Sequence, residues 1–142
     1  MFSVLVINCL VVALAVLVHY QFLYRIVLYM PKMKVRHNFK IVFGVFGALI
    51  AHIIEIWIFG IAFYCMDIAD GWGSLVGNVS GGLMDSVYFS FTVYTTVGFG
   101  DIEPHGSLRY LTGIESLTGL ILITWTASFL YLEMQRYLSK LN

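Results

Sequence analysis

Seven consecutive residues in the second half of the chain have a pattern suited to binding dehydrated cations. Residues 95–101 read Thr-Thr-Val-Gly-Phe-Gly-Asp, so Gly98 and Gly100 alternate with larger residues. Glycine adopts positive φ angles readily, and a backbone that alternates between left- and right-handed conformations turns consecutive carbonyl groups to one side. A row of such carbonyls replaces the water shell of a cation. We therefore predict that residues 95–101 form an ion-binding backbone.

The residues directly before this segment predict the element that positions it. Residues 83–94 are apolar and aromatic and predict a helix of about 18 Å. This length is too short to cross roughly 30 Å of hydrocarbon, so we expect the helix to enter the membrane and return. Asp85 and Ser86 suit its N-terminus. Its negative C-terminal end faces residues 95–101, which favours a cation there over an anion.

The composition places these elements in a lipid bilayer. The chain has 142 residues, of which 60% are hydrophobic and only 11% are charged, whereas soluble domains carry about 25% charged residues. The net charge is zero, which argues against a nucleic-acid partner because such partners require a basic surface. Cys9 and Cys65 lie in apolar stretches without a CxxC motif, so we expect them to be buried apolar residues.

Three apolar stretches are long enough to cross a bilayer, at about residues 2–24, 39–66 and 108–138. The first lacks a preceding positive residue and a cleavage site, so we interpret it as a retained transmembrane helix rather than a signal peptide. Residues 67–82 are rich in glycine and predict an irregular, exposed connection. The predicted fold class is an all-α membrane protein with three transmembrane helices and one re-entrant helix.

The charged residues predict the orientation of the chain in the membrane. Basic residues lie between the first two stretches and near the C-terminus, at Lys32, Lys34, Arg36, Lys40, Arg136 and Lys140. Acidic residues lie between the second and third stretches, at Asp67, Asp70, Asp85, Asp101 and Glu103. Basic loops remain in the cytoplasm. We therefore expect a multi-pass protein of the cell membrane with its N-terminus outside and its C-terminus in the cytoplasm.

Taken together, these features resemble the pore module of potassium channels, with a TTVGFGD filter that follows a re-entrant helix between two spans. The resemblance covers roughly residues 39–138 and implies passive conduction of K⁺. One chain supplies one filter strand, and a pore needs a closed ring, so a homotetramer is implied. The implied pore domain at 39–142 has an outer helix at 39–66, a turret at 67–82, a pore helix at 83–94, a filter at 95–101 and an inner helix at 108–138. An additional transmembrane helix at 1–30 precedes it.

The resemblance assigns a role to each filter residue. The potassium sites are expected to be lined by the carbonyl groups of Thr96, Val97, Gly98 and Phe99. The filter begins at Thr95, the hydroxyl of Thr96 closes the innermost site, and Gly100 and Asp101 form the outer mouth. K⁺ is expected as the permeant ion, with no other cofactor.

Three pore-helix positions are expected to support the filter, and they depart from the usual family pattern. Phe99 stands where most members have tyrosine, and Tyr88 and Phe89 stand where pore-helix aromatics, often tryptophan, bond to that tyrosine. Both sides have changed together, so no orphan donor is expected. Thr92 stands where some members have an acidic residue that contacts the filter aspartate, so we expect that contact to be lost.

The resemblance also assigns roles on the inner helix. Gly119 falls where many members have a hinge glycine, and Ile123, Ala127 and Tyr131 are expected to face the inner cavity. Glu115 lies four residues before Gly119 and allows two interpretations. It either attracts cations near the base of the filter or is a buried group bonded to the pore helix, at Ser90 or Thr92.

Further polar residues lie within the first two spans, where they are costly and therefore informative. His52 and Glu55 have the i, i+3 spacing of one helix face. We interpret them as a hydrogen-bonded pair that faces a neighbouring helix, with a proton or metal site as the alternative. Asn8 and His19 are interpreted as helix-contact residues. The first helix lacks the regular arginine spacing of a voltage sensor, and we expect it to pack around the outer helices.

Several other functions remain to be weighed. A poorly selective cation channel usually breaks the Gly98-Phe99-Gly100 step, which this chain keeps, and a potassium transporter typically carries four filter repeats in one chain. A non-conducting regulatory membrane protein stays open as an alternative. No catalytic constellation or nucleotide-binding motif is present in the sequence, so we do not expect an enzyme.

Overall fold

The computed structural model describes residues 2–34 and 37–138. Its helices are α1 (Phe2–Tyr29), α2 (His37–Asp67), α3 (Leu83–Tyr94) and α4 (Leu108–Leu138), with a 3₁₀ turn at Met30–Lys32. Three of them are long and apolar enough to cross a membrane, within Phe2–Lys32, Phe39–Asp67 and Leu108–Arg136. The protein is therefore an all-α, multi-pass membrane protein, as its composition predicts. Arg36 and Lys140, which contribute to the predicted orientation, lie outside the described residues.

Two short strands add to this helical fold. Strand β1 (Leu75–Gly77) pairs in antiparallel fashion with β2 (Ile102–Pro104). The sequence predicts an irregular connection over residues 67–82, and the structure differs from that prediction at β1. A three-residue strand has no periodicity to detect, and its partner strand directly follows residues 95–101. The side chain of Asp67 accepts a hydrogen bond from the Leu75 amide at 2.7 Å and fixes the start of β1.

The short helix α3 lies between α2 and α4, and two glycines allow its close approach. A Cβ atom at Gly60 on α2 would lie 2.9 Å from the Cα of Val87. A Cβ atom at Gly119 on α4 would lie 2.2 Å from the carbonyl oxygen of Tyr94. Real side chains do not make contacts this short, so only glycine fits at both positions. The resulting core includes Phe63 and Phe89, whose rings meet edge to face at 5.0 Å.

The first helix packs against α2 and α4 through one face. Its buried residues include Ala15, His19, Leu23 and Ile26, at intervals of three or four that correspond to one side of a helix. The Ile26 side chain covers Gly47 on α2. The opposite side of α1 exposes leucines such as Leu10 and Leu17, as expected for a surface that faces lipid. Helix α1 ends after Tyr29, where Pro31 occupies the 3₁₀ turn.

Candidate functional site

The backbone of residues 95–101 alternates in handedness. The φ angles of Thr96, Gly98 and Gly100 are 59°, 52° and 78°, whereas Val97 and Phe99 have no positive φ. Alternation at the two glycines was predicted, and the structure extends it by one step to Thr96. A β-branched residue at positive φ is strained and persists only where its surroundings hold it. Thr96 is the single non-glycine residue with positive φ within 2–34 and 37–138, so the strain is concentrated in this segment.

Hydrogen bonds to the last turn of α3 hold the beginning of this segment. The Thr95 amide and hydroxyl both donate to the Phe91 carbonyl, at 3.2 and 2.7 Å. The Thr96 amide donates to the Val93 carbonyl at 2.9 Å, and the Gly98 amide donates to the Thr92 carbonyl at 3.0 Å. Carbonyl groups at a helix C-terminus lack partners within the helix. The segment therefore takes its position directly from the end of α3.

The outer end of the segment is held through Asp101. Its backbone carbonyl accepts a hydrogen bond from the Asn78 amide at 2.9 Å. Its carboxylate accepts a hydrogen bond from the Tyr88 hydroxyl at 2.9 Å. This bond to Asp101 raises the pKa of Tyr88, because the adjacent carboxylate stabilises the protonated hydroxyl. Asp101 thus has a polar partner on α3.

The three positions predicted to support the filter act differently from one another. The sequence assigned Tyr88 to the pore-helix aromatic positions that face Phe99, and its bond to Asp101 was not predicted. Phe89 is buried and packs on Phe63, so it supports α3 from behind. The Thr92 hydroxyl donates to the Phe89 carbonyl at 2.8 Å, within α3. The backbone carbonyl of Thr92, rather than its side chain, contacts the segment.

The first turn of α3 is fixed by Asp85, which the sequence places at the helix start. The Asp85 carboxylate accepts hydrogen bonds from the Ser80 hydroxyl at 2.8 Å, the Ser80 amide at 2.7 Å and the Gly82 amide at 3.2 Å. These bonds, led by that of the Ser80 hydroxyl, lower the pKa of Asp85. A negative charge at this position also complements the positive end of the helix dipole. Asp85 therefore anchors the end of α3 that lies farthest from the segment.

A polar cluster connects all four helices behind the segment. It consists of His19 on α1, His52 and Glu55 on α2, Tyr94 on α3 and Thr126 on α4, and we call it the four-helix cluster. Glu55 Oε1 lies 2.9 Å from His19 Nδ1, and Glu55 Oε2 lies 3.0 Å from His52 Nδ1. The Tyr94 hydroxyl donates to Glu55 Oε2. Thr126 Oγ1 lies 3.3 Å from His19 Nε2 and 3.1 Å from His52 Nε2.

The four-helix cluster brings together residues that the sequence presents separately. The predicted pair of His52 and Glu55 is present and faces α1, where His19 makes the expected helix contact. Sequence reasoning missed Tyr94 and Thr126. Both lie in apolar stretches without a periodic signal, and contacts between helices depend on how each helix is rotated. Because Tyr94 is the last residue of α3, the cluster connects α1 to the start of the segment.

Glu115 on α4 is buried against α3 rather than open to a cavity. Its Oε1 atom accepts a hydrogen bond from the Ser90 hydroxyl, which also lies 2.8 Å from the Ile56 carbonyl. Its Oε2 atom has no hydrogen-bond partner among the residues that the structure describes. Of the two interpretations from the sequence, these contacts correspond to the buried group bonded to Ser90.

The remaining inner-helix residues fall into two groups. Gly119 is buried where α4 touches Tyr94, so close packing accounts for a glycine at this position. Ile123, Ala127 and Tyr131 are exposed on the surface of the single chain, at intervals of four residues along α4. This spacing places them on one face of the helix. No other part of the described chain covers that face.

A comparison with protein families found one match. The model of a family described as ion channel matches residues 51–136, which is more than half of the chain. The matched range contains α3, residues 95–101, the second half of α2 and most of α4, whereas α1 lies before it. Searches of curated proteins and of solved structures found no match.

Proposed function

The chain belongs to the ion channel family, and from this premise we propose that it is one subunit of a homotetrameric, potassium-selective channel. The observation that carries the proposal is the alternation of φ at Thr96, Gly98 and Gly100. Such a backbone turns the carbonyl groups of successive residues toward a common axis. Rings of carbonyl oxygens replace the hydration shell of K⁺ in potassium channels.

The proposed mechanism uses the backbone of residues 96–99 and needs no side-chain chemistry. K⁺ loses its water to the carbonyl rings and moves by knock-on between adjacent sites, down its electrochemical gradient. The C-terminal end of α3 contributes negative potential where the ion enters the filter from the inner side. Tyr88 holds the outer end of the segment through Asp101, and the Thr92 carbonyl holds its middle through the Gly98 amide. K⁺ is the transported ion, and the proposal involves no cofactor.

The tetramer follows from what a single chain leaves incomplete. The side chains of Val97 and Phe99 are 56% and 69% exposed, although both are large and apolar. Exposed apolar surface next to a functional backbone is typical of an interface. One chain also supplies only one wall of a pore, and cyclic symmetry closes the ring with identical subunits. In this assembly Ile123, Ala127 and Tyr131 line the inner cavity, with Tyr131 nearest the cytoplasmic entrance.

The proposed orientation places the filter on the outer side of the membrane. Three acidic residues lie at or near the ends of α2 and α4 that adjoin the filter, namely Asp67, Asp101 and Glu103. The basic residues Lys32 and Arg136 lie at the opposite ends of the spans. Basic residues remain on the cytoplasmic side. Helix α1 then begins outside and serves as an additional transmembrane helix packed on the pore domain. Deletion of residues 1–28 is expected to weaken the tetramer in detergent.

A flux assay with matched glycine variants tests the proposal. The φ angle is 52° at Gly98 in the proposed filter and 83° at Gly71 in the exposed connection. A Cβ atom added at either glycine would have no neighbouring atom within 4 Å. Alanine is strained at both positions by a similar mechanism, at about 1–2 kcal/mol. Purified protein in liposomes loaded with K⁺ and diluted into Na⁺ buffer should release K⁺, as monitored with a protonophore and a pH-sensitive dye. Gly98→Ala should abolish the flux and Gly71→Ala should retain it.

Other outcomes of this assay identify the alternative functions. Equal flux from liposomes loaded with Na⁺ and diluted into a buffer of an impermeant cation would indicate a poorly selective cation channel. No flux from the wild-type protein in a well-formed tetramer would indicate a non-conducting regulatory subunit. Equal loss in both glycine variants would mean that general backbone strain, and not the filter, determines the signal.

A further inference from the structure

The four-helix cluster contains the donor atoms of a transition-metal site. One ring nitrogen of His19, one ring nitrogen of His52 and one carboxylate oxygen of Glu55 all lie within 4.8 Å of one another. Tetrahedral ligands at the usual zinc distances are about 3.3 Å apart. Glu55 Oε1 lies 2.9 Å from His19 Nδ1 and Glu55 Oε2 lies 3.0 Å from His52 Nδ1, so each carboxylate oxygen lies close to this distance from one histidine nitrogen. Two histidines and one glutamate are an established ligand set for Zn²⁺.

The surroundings of these atoms resemble those of metal sites rather than those of ordinary helix contacts. His19 on α1 and Glu55 on α2 are both fully buried. The Tyr94 hydroxyl, which donates its hydrogen to Glu55 Oε2, lies 3.0 Å from His52 Nδ1, and its oxygen is available as a fourth ligand. The ligands come from two helices, with His19 on α1 and both His52 and Glu55 on α2, so a bound ion would join α1 to α2. Borderline metals such as Zn²⁺ favour this mixture of imidazole and carboxylate.

A count of hydrogen atoms distinguishes the possible states of the cluster. Both Nδ1 atoms face Glu55, and both Nε2 atoms face Thr126 Oγ1. If both rings are neutral and carry their hydrogen on Nδ1, both Nε2 atoms need a donor, and the single Thr126 hydroxyl hydrogen supplies only one. If an ion occupies the two Nδ1 atoms, both Nε2 atoms carry a hydrogen. Thr126 Oγ1 then accepts both hydrogen bonds with its two lone pairs, and its own hydrogen needs a further acceptor.

From this arrangement we propose that His19, His52 and Glu55 bind a divalent transition-metal ion of the zinc class. Thr126 is the outer partner that orients both histidines, as oxygen atoms commonly do behind metal-bound imidazoles. A cavity of about 470 Å³ is lined by His52, Tyr94 and Thr126 and extends to Ile123 and Ala127 on the exposed face of α4, which gives the ion a route to the site. The proposal concerns binding alone and does not depend on conduction.

One additional proton on either imidazole ring also gives every ring nitrogen in the cluster a hydrogen-bond partner. In that state the charged imidazole donates to both Glu55 and Thr126, and the Thr126 hydroxyl donates to the other ring. A proton and a metal ion therefore compete for the cluster, and acid should weaken metal binding. The experiment therefore distinguishes a metal-bound cluster from a protonated cluster without metal.

The test uses the full chain, purified in detergent without a polyhistidine tag and treated with a chelator. Titration with Co²⁺, a spectroscopic substitute for Zn²⁺, should give one ion per chain and the strong visible absorption of four-coordinate cobalt, and Zn²⁺ should displace it. Thr126→Val keeps the shape of the side chain and removes the outer partner, so it should weaken Co²⁺ binding about 10- to 100-fold. His52→Gln should abolish the absorption. The matched control is His105→Gln, which alters an exposed histidine outside the cluster and should bind like the wild type.

Two results would overturn the proposal. The first is wild-type protein that binds no more Co²⁺ than the His52→Gln variant, which would mean that a proton completes the cluster. The second is cobalt absorption that persists in His52→Gln, together with an unchanged Co²⁺ affinity in Thr126→Val. That result would place the ion elsewhere. If His52→Gln does not form the wild-type oligomer, the Thr126→Val titration decides, because that substitution preserves side-chain volume.

Discussion

Replacing Gly119 by alanine tests how α4 positions the proposed filter. The added Cβ atom would lie 2.2 Å from the Tyr94 carbonyl oxygen and 3.0 Å from Tyr94 Cγ. A carbon atom approaches a carbonyl oxygen to no less than about 3.3 Å. The two elements must therefore separate by about 1 Å. The neighbour is backbone at the end of α3, so it cannot move aside as a flexible side chain does.

The cost of this separation follows from the packing of the site. Excess atoms in a well-packed core cost about 1–3 kcal/mol, and a backbone neighbour favours the upper part of this range. Tyr94 directly precedes Thr95, so the displacement passes into the filter. We expect Gly119→Ala to lower the thermal stability of the oligomer in detergent and to reduce the preference for K⁺ over Na⁺ in the liposome flux assay.

Gly113 supplies the matched control on the same helix. A Cβ atom there would have no neighbour within 4 Å. Gly113→Ala should leave ion preference unchanged and raise helix stability by up to about 1 kcal/mol, because alanine favours the helix. If Gly119→Ala and Gly113→Ala behave alike in both assays, the argument that close packing at Tyr94 positions the filter is refuted.

Three further substitutions test the contacts around α3. Tyr94→Phe removes the hydroxyl that donates to the buried Glu55 carboxylate and should destabilise the folded protein by about 1.5–3 kcal/mol. Equal stability of Tyr94→Phe and the exposed-site control Tyr110→Phe would contradict a stabilising role for this bond. Ser90→Ala removes the donor of the buried glutamate on α4 and should cost about 1–3 kcal/mol, whereas Ser128→Ala, at an exposed site, should cost less in the same unfolding experiment. The pKa of Asp85 is lowered in the folded chain, so its contribution is complete above the pKa of the unfolded state and disappears as pH falls through the folded value. Asp85→Asn should therefore lower the thermal midpoint at neutral pH but not in strong acid, and a difference that persists in strong acid would exclude this role.

Local patterns in the sequence predict much of the fold. The apolar run at 83–94 predicts α3 because a helix depends on neighbouring residues, and Gly98 and Gly100 predict the alternation of φ for the same reason. Strand β1 was not predicted, because three residues show no alternation and its partner strand lies beyond the filter.

Contacts between helices could not be predicted from the sequence and were identified only in the structure. The bond from Tyr88 to Asp101 joins residues whose relative position depends on the path of the filter between them. The meeting of Tyr94 with Glu55 depends on the rotation of α2 and α3 about their axes. Helices that are apolar on every side carry no periodic signal from which this rotation follows. For the same reason Gly119, expected from resemblance as a hinge, could not be recognised from the sequence as a packing position.

The measurement that tests the central claim most directly is a bi-ionic reversal potential. Purified wild-type protein is placed in a planar bilayer with K⁺ on one side and Na⁺ on the other. The proposed channel predicts a large shift of the reversal potential toward the potassium equilibrium potential. A reversal near zero with clear current would contradict potassium selectivity.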